Sequence, residues 1–131
     1  LEQALIEGRM ELNDLPEAWN QGMRDLLGIT PPDLAQGCLQ DIHWPSGAWG
    51  YFPTYTLGAM MAAQLFQAAS SAIPDLPDQI GRGDFRDLVV WLGDNVHRWG
   101  RYLSARDILI RATGKPLDAG IFKAHLRARY L

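Results

Sequence analysis

Cysteine is almost absent. Cys38 is the one thiol in 131 residues, which excludes an internal disulfide and fits a reducing compartment, so a cytoplasmic location is expected. The patterns of a self-contained metal site are missing too. There is no H-E-x-x-H and no C-x-x-C, and none of the three histidines, His43, His97 and His125, has a partner at ligand spacing. No G-x-S-x-G, P-loop or dinucleotide-type glycine pattern occurs, which removes the commonest hydrolase and nucleotide-binding signatures. No charged stretch leads into an apolar run near Leu1, so no secretory signal is visible in these residues. Repeats and low-complexity tracts are lacking. Sheet patterning is nearly so, with only Leu39-Gln40-Asp41-Ile42-His43-Trp44 alternating well enough for one short strand or hairpin arm.

What is present is a soluble-type composition, 47% hydrophobic and 21% charged, of a length suited to one domain. The net charge of −3 is unevenly placed: residues 98–131 hold eight Lys/Arg against two acids, and the remainder four against thirteen. The basic residues are dispersed and no nucleic-acid motif accompanies them. They read as solvated helix faces, and no nucleic-acid partner is expected. Residues 54–73 form a run of twenty without a charge, the length of a bilayer span. Gln64, Gln67, Ser70 and Ser71 lie within it and no Lys/Arg cluster flanks it, so it reads as a helix buried among helices rather than in a membrane.

The rest of the chain has helical spacing. Leu1, Ala4 and Leu5 share one face of a first helix. Asn13 or Asp14 caps a second, with Pro16 in its first turn, Trp19, Met23, Leu26 and Leu27 as its inward stripe, and Gly28 as its stop. A long helix is predicted from Thr54 to about Ala72, followed by a connection with one helical turn in it. Asp84 caps the next helix, whose stripe runs Leu88, Leu92, Val96, Trp99 up to Gly100. Ser104 and Asp107 form a capping box for a helix ending at Gly114, and Asp118 caps the last one. The predicted fold is all-α: a compact multi-helix array, one unit over 1–131 without an internal boundary, with one aromatic-rich irregular segment at about 37–53.

That segment, GCLQDIHWPSGAWGYFPTYTLG, holds the candidate chemistry. If residues 40–44 are extended, Asp41 and His43 project from one face while Ile42 and Trp44 face the other way. Two readings stand. The pair orients an imidazole for acid–base or oxyanion-stabilising work, or it satisfies backbone groups of an irregular loop. Tyr51 and Tyr55 likewise either donate hydrogen bonds from an apolar wall or pack a helix entry. His97 and His125 sit near helix C-termini among arginines and read as half-exposed helix residues.

Gly37-Cys38-Leu39-Gln40-Asp41-Ile42-His43-Trp44 resembles the G-x-x-Q-D-x-H-W signature of the carboxypeptidase Taq family of metal-dependent carboxypeptidases. The block from Gly50 to Gly58, GYFPTYTLG, is similar to the family's segment just C-terminal to that signature, and LPEAWNQGMRDLLGI and ILIRATGKPL resemble its flanks. The resemblance spans almost the whole chain. It implies a largely helical enzyme of about 500 residues, more than one domain's worth of chain, of which this would be the C-terminal quarter. Leu1 in mid-pattern of a helix, with no initiator Met, fits a piece of a longer polypeptide.

By the same resemblance the full enzyme binds zinc or cobalt through an H-E-x-x-H helix and a downstream Glu that precede the signature. This chain alone is expected to hold no metal and to be inactive. The implied catalytic residues are His43 and Asp41, and the implied substrate-binding residues are Tyr51, Tyr55, Gln40 and Trp44. The implied partners are a peptide C-terminus, the preceding part of the enzyme, and a second copy in a homodimer. The competing expectation is a free-standing, non-catalytic helical module that binds a partner, supported by the complete set of helix caps.

Overall fold

The computed structural model describes residues 1–131, which are 64% helical with no strand. Seven α-helices follow one another: α1 (Glu2–Ile6), α2 (Leu15–Leu27), α3 (Pro53–Ala72), α4 (Leu76–Gly81), α5 (Arg86–Asn95), α6 (Ala105–Thr113) and α7 (Ala119–Tyr130). Short 3₁₀ turns cover Leu12–Asp14, Cys38–Gln40 and His97–Trp99. The all-α architecture read from the sequence is the one observed. The chain gathers into two compact units, Leu1–Pro53 and Thr54–Leu131. No helix is long and apolar enough to cross a membrane.

In the first unit the predicted short strand at 39–44 does not form. Cys38–Gln40 is a 3₁₀ turn, and Asp41 leaves it in an extended conformation. The Asp41 carboxylate takes the His43 backbone N–H at 2.8 Å, so the donor a strand would offer a neighbour is consumed locally. Asp14 occupies the cap position of α2, but its carboxylate accepts from Glu11 N–H at 3.4 Å and not from α2 itself. The expected inward stripe of α2 holds at Trp19 and Met23, both half-buried, and fails at Leu26 and Leu27, which are 84% and 64% exposed. The helix turns its first two-thirds to the unit, and its last turn stands uncovered.

The second unit carries most of the buried side chains. Ala69, Leu76, Ile108, Leu109 and Ile121 are buried, and α5 packs against α6. The connection after α3 is more ordered than one turn: α4 has six residues and buries Leu76 completely. The helix after Asp84 is shorter than the spacing predicts. It stops at Asn95, whose side-chain amide donates to the Trp91 carbonyl at 2.9 Å, while Trp99 Nε1–H takes the Asp94 carbonyl at 2.9 Å. Side chains thus occupy acceptors at the helix end, and a 3₁₀ turn finishes the segment. Ser104 and Asp118 cap α6 and α7 as predicted, accepting from Asp107 N–H and Gly120 N–H. Gln64 of α3 is almost wholly buried. Its amide donates to Thr113 Oγ1 and the Lys115 and Pro116 carbonyls, and its oxygen accepts from Asp118 N–H at 2.9 Å. One side chain therefore satisfies the irregular link between α6 and α7.

Candidate functional site

The first unit builds its site around residues 37–53. Gly37 begins it where the backbone passes close by: a Cβ there would lie 3.1 Å from the Asp33 carbonyl oxygen, a crowded approach, and 3.5 Å from Pro31 Cβ. From Asp41 onward the chain is held by its own polar groups. Asp41 Oδ1 meets both the backbone N–H and the ring Nδ1 of His43, each at 2.8 Å. A carboxylate only accepts, so the ring proton facing it sits on Nδ1. The side chains of His43 and Asp41 are 17% and 10% exposed, so the pair is largely shielded from water.

Beyond His43 the chain turns back on itself. The His43 carbonyl accepts from Ala48 N–H at 2.8 Å and from Ser46 Oγ–H at 2.9 Å, and the Trp44 carbonyl from Gly47 N–H at 3.0 Å. Gly47 and Gly50 adopt φ of 75° and 72°, a left-handed conformation that a side chain would strain. The turn returns Tyr51 and Phe52 to His43. Tyr51 stacks on the imidazole at 5.8 Å and 24°, and Phe52 meets it edge-on at 5.1 Å. Trp44 stacks on Trp49 at 5.5 Å and 4°, and Trp19 meets Trp44 edge-on at 6.2 Å. The Trp19 indole N–H is buried without a hydrogen-bond partner, an unusual state for such a group.

Two concavities open on this cluster. A cleft of about 330 Å³ is lined by Trp19, Gln40, Asp41, Ile42, His43 and Phe52. A broader groove of about 830 Å³ runs between α1 and the aromatic loop, with Trp44, Trp49 and Asp41 on its wall. Its lining is mostly apolar with few polar groups, the usual character of a ligand site.

Of the residues singled out in the sequence, Asp41, His43, Gln40 and Trp44 lie together here, with Tyr51 on the imidazole. Gln40 is exposed, its amide donating to the Gln36 carbonyl at 2.9 Å. Tyr55 is 56% exposed in the first turn of α3, in the second unit. His97 and His125 are exposed in that same unit. Glu2 escaped the sequence reading: its carboxylate accepts from Trp44 Nε1–H at 2.7 Å and from Gly50 N–H at 2.9 Å. Its partners are 42 and 48 residues away, beyond any local pattern. No group of three His, Cys, Asp or Glu side chains is placed to hold a metal ion.

A sequence profile described as carboxypeptidase Taq (M32) metallopeptidase matches residues 1–130. Thermostable carboxypeptidase 1 of Pyrococcus furiosus is 39% identical over 131 residues, which is 100% of this chain and 26% of that protein. Thermostable carboxypeptidase 1 of Thermus thermophilus is 42% identical over 130 residues, 99% of this chain and 26% of that one. The crystal structure of an M32 carboxypeptidase from Deinococcus radiodurans R1 superimposes with a TM-score of 0.94 at 38% identity, covering 98% of this chain and 26% of its own. The chain spans about a quarter of the length of the curated relatives it matches.

Proposed function

Since this chain belongs to the carboxypeptidase Taq (M32) metallopeptidase family, we propose that it forms one wall of the substrate groove of a metal-dependent carboxypeptidase. The reaction is release of single residues from the C-terminus of a peptide. The observation that supports this most is the Asp41–His43 pair, shielded yet lining an open cleft within the family signature. The metal, zinc or cobalt, belongs to the remainder of the enzyme, since the residues of this chain gather no ligand set for it. When bound there it supplies an activated water.

This chain's own residues do the rest. Asp41 holds the imidazole at Nδ1 and fixes its rotation. His43 then contacts the substrate, donating from Nε2–H as an imidazolium to the oxygen on which negative charge develops, or binding the peptide directly. Tyr51 and Tyr55 supply hydroxyl donors for the terminal carboxylate or a peptide group. Gln40 and Trp44 contact the substrate along the cleft. A cytoplasmic, homodimeric enzyme completes the proposal.

The test is made in the complete enzyme. His43→Ala lowers turnover about 10- to 1,000-fold, the scale of one lost transition-state donor, while metal content measured by emission spectrometry stays at the wild-type level. Wild-type kinetics for this variant would overturn the assignment.

A further inference from the structure

Glu2 opens α1, and its carboxylate grips the aromatic loop at two points. Oε1 accepts from the Trp44 indole N–H at 2.7 Å and Oε2 from the Gly50 backbone N–H at 2.9 Å. Trp44 directly follows His43, and Gly50 directly precedes Tyr51. Those two rings are the ones stacked at 5.8 Å. A single carboxylate thus ties the chain on both sides of the His43–Tyr51 stack. It is bonded to the indole that also stacks on Trp49. Hydrogen bonds to an ionised acceptor are short and strong, and two convergent donors fix both the position and the rotation of the group that receives them.

We propose that Glu2 is a positioning residue for the substrate groove: it sets the spacing of His43 and Tyr51 by holding Trp44 and Gly50 on one carboxylate. This rests on the role of His43 proposed for the groove. A carboxylate offers one acceptor oxygen to each of the two donors. Glutamine keeps one acceptor, but its amide NH₂ would meet the second donor. Alanine keeps neither.

The experiment compares Glu2→Ala, Glu2→Gln and His43→Ala in the complete enzyme, with spectra of this chain beside the kinetics. Glu2→Ala is expected to lower kcat on the order of 10- to 100-fold, the effect of misplacing a reacting group by about 1 Å. KM rises as well, because Trp44 and Tyr51 contact the substrate, metal content stays near wild type, and Glu2→Gln recovers part of the loss. In ¹H–¹⁵N spectra the Trp44 indole and Gly50 amide protons move upfield in Glu2→Ala, and the ring-current shifts of the His43 protons change. Wild-type kcat in Glu2→Ala, with His43→Ala impaired, overturns the inference and leaves the function standing. A loss confined to the yield of folded enzyme, with kcat per folded molecule unchanged, overturns it equally. If His43→Ala is itself silent, the functional reading fails first and the spectra decide: unchanged His43 ring-current shifts in Glu2→Ala overturn the positioning role, and altered ones sustain it.

Discussion

At Asp41, one carboxylate oxygen serves two donors of the same residue, the backbone N–H and the ring Nδ1 of His43. The two tasks separate by substitution. Asp41→Asn keeps an oxygen for the turn but loses the charge beside the ring, so turnover in the complete enzyme falls while the melting temperature holds. Asp41→Ala abandons both groups, and urea denaturation should show a further loss of about 1–3 kcal/mol for the unsatisfied donors. Gly37 is constrained by space, with the Asp33 carbonyl 3.1 Å from where a Cβ would sit. Gly37→Ala is expected to cost about 1–3 kcal/mol in the same measurement. The types and spacing of these residues were legible in the sequence because they act on close neighbours. Glu2 was not, because its partners lie 42 and 48 residues away and no periodic pattern reports a contact at that range.

Among the elements, those defined by their own punctuation were the readable ones. Pro53 opens α3 and Ala72 closes it within a residue of expectation, and Ser104, Gly114 and Asp118 delimit α6 and α7 where their chemistry says they should. In the sequence, helix α4 reads as one turn inside a proline-containing connection, since six residues carry little periodicity and the further order comes from burying Leu76. Gln64 shows the same dependence on distant partners. Removing it leaves Asp118 N–H and the carbonyls of Lys115 and Pro116 without its amide, so Gln64→Ala should lower stability by about 3 kcal/mol or more. At the start of α5, two side-chain hydrogen bonds from Arg86 hold the Asp84 carboxyl well below its usual value of 3.8. A carboxyl depressed in the folded state contributes stability above the unfolded value near 3.8, and that contribution is lost as pH falls through the lower folded value. Asp84→Asn should therefore melt slightly below wild type at neutral pH, with the gap narrowing below about pH 4 and shrinking in high salt, since the pair faces solvent.

For the molecule as a whole, composition and helical spacing were enough to reach the all-α class, and one eight-residue signature was enough to reach the family. The buried core lies largely in the second unit, whereas the candidate site is built in the first from turns, stacked rings and a carboxylate. This chain alone is expected to bind no zinc stoichiometrically and to release no amino acid from peptides. Equilibrium dialysis with metal analysis and a ninhydrin assay would check both, and stoichiometric zinc with hydrolysis would refute the assignment of the metal to the rest of the enzyme. The Glu2 bridge also has a consequence in time. Its two donors lie 42 and 48 residues from the carboxylate along the chain, so the contact is made only after the entropic cost of closing a loop of more than forty residues has been met. The aromatic loop should accordingly be among the last parts of the first unit to become ordered during refolding, with Trp44 fluorescence reporting its arrival.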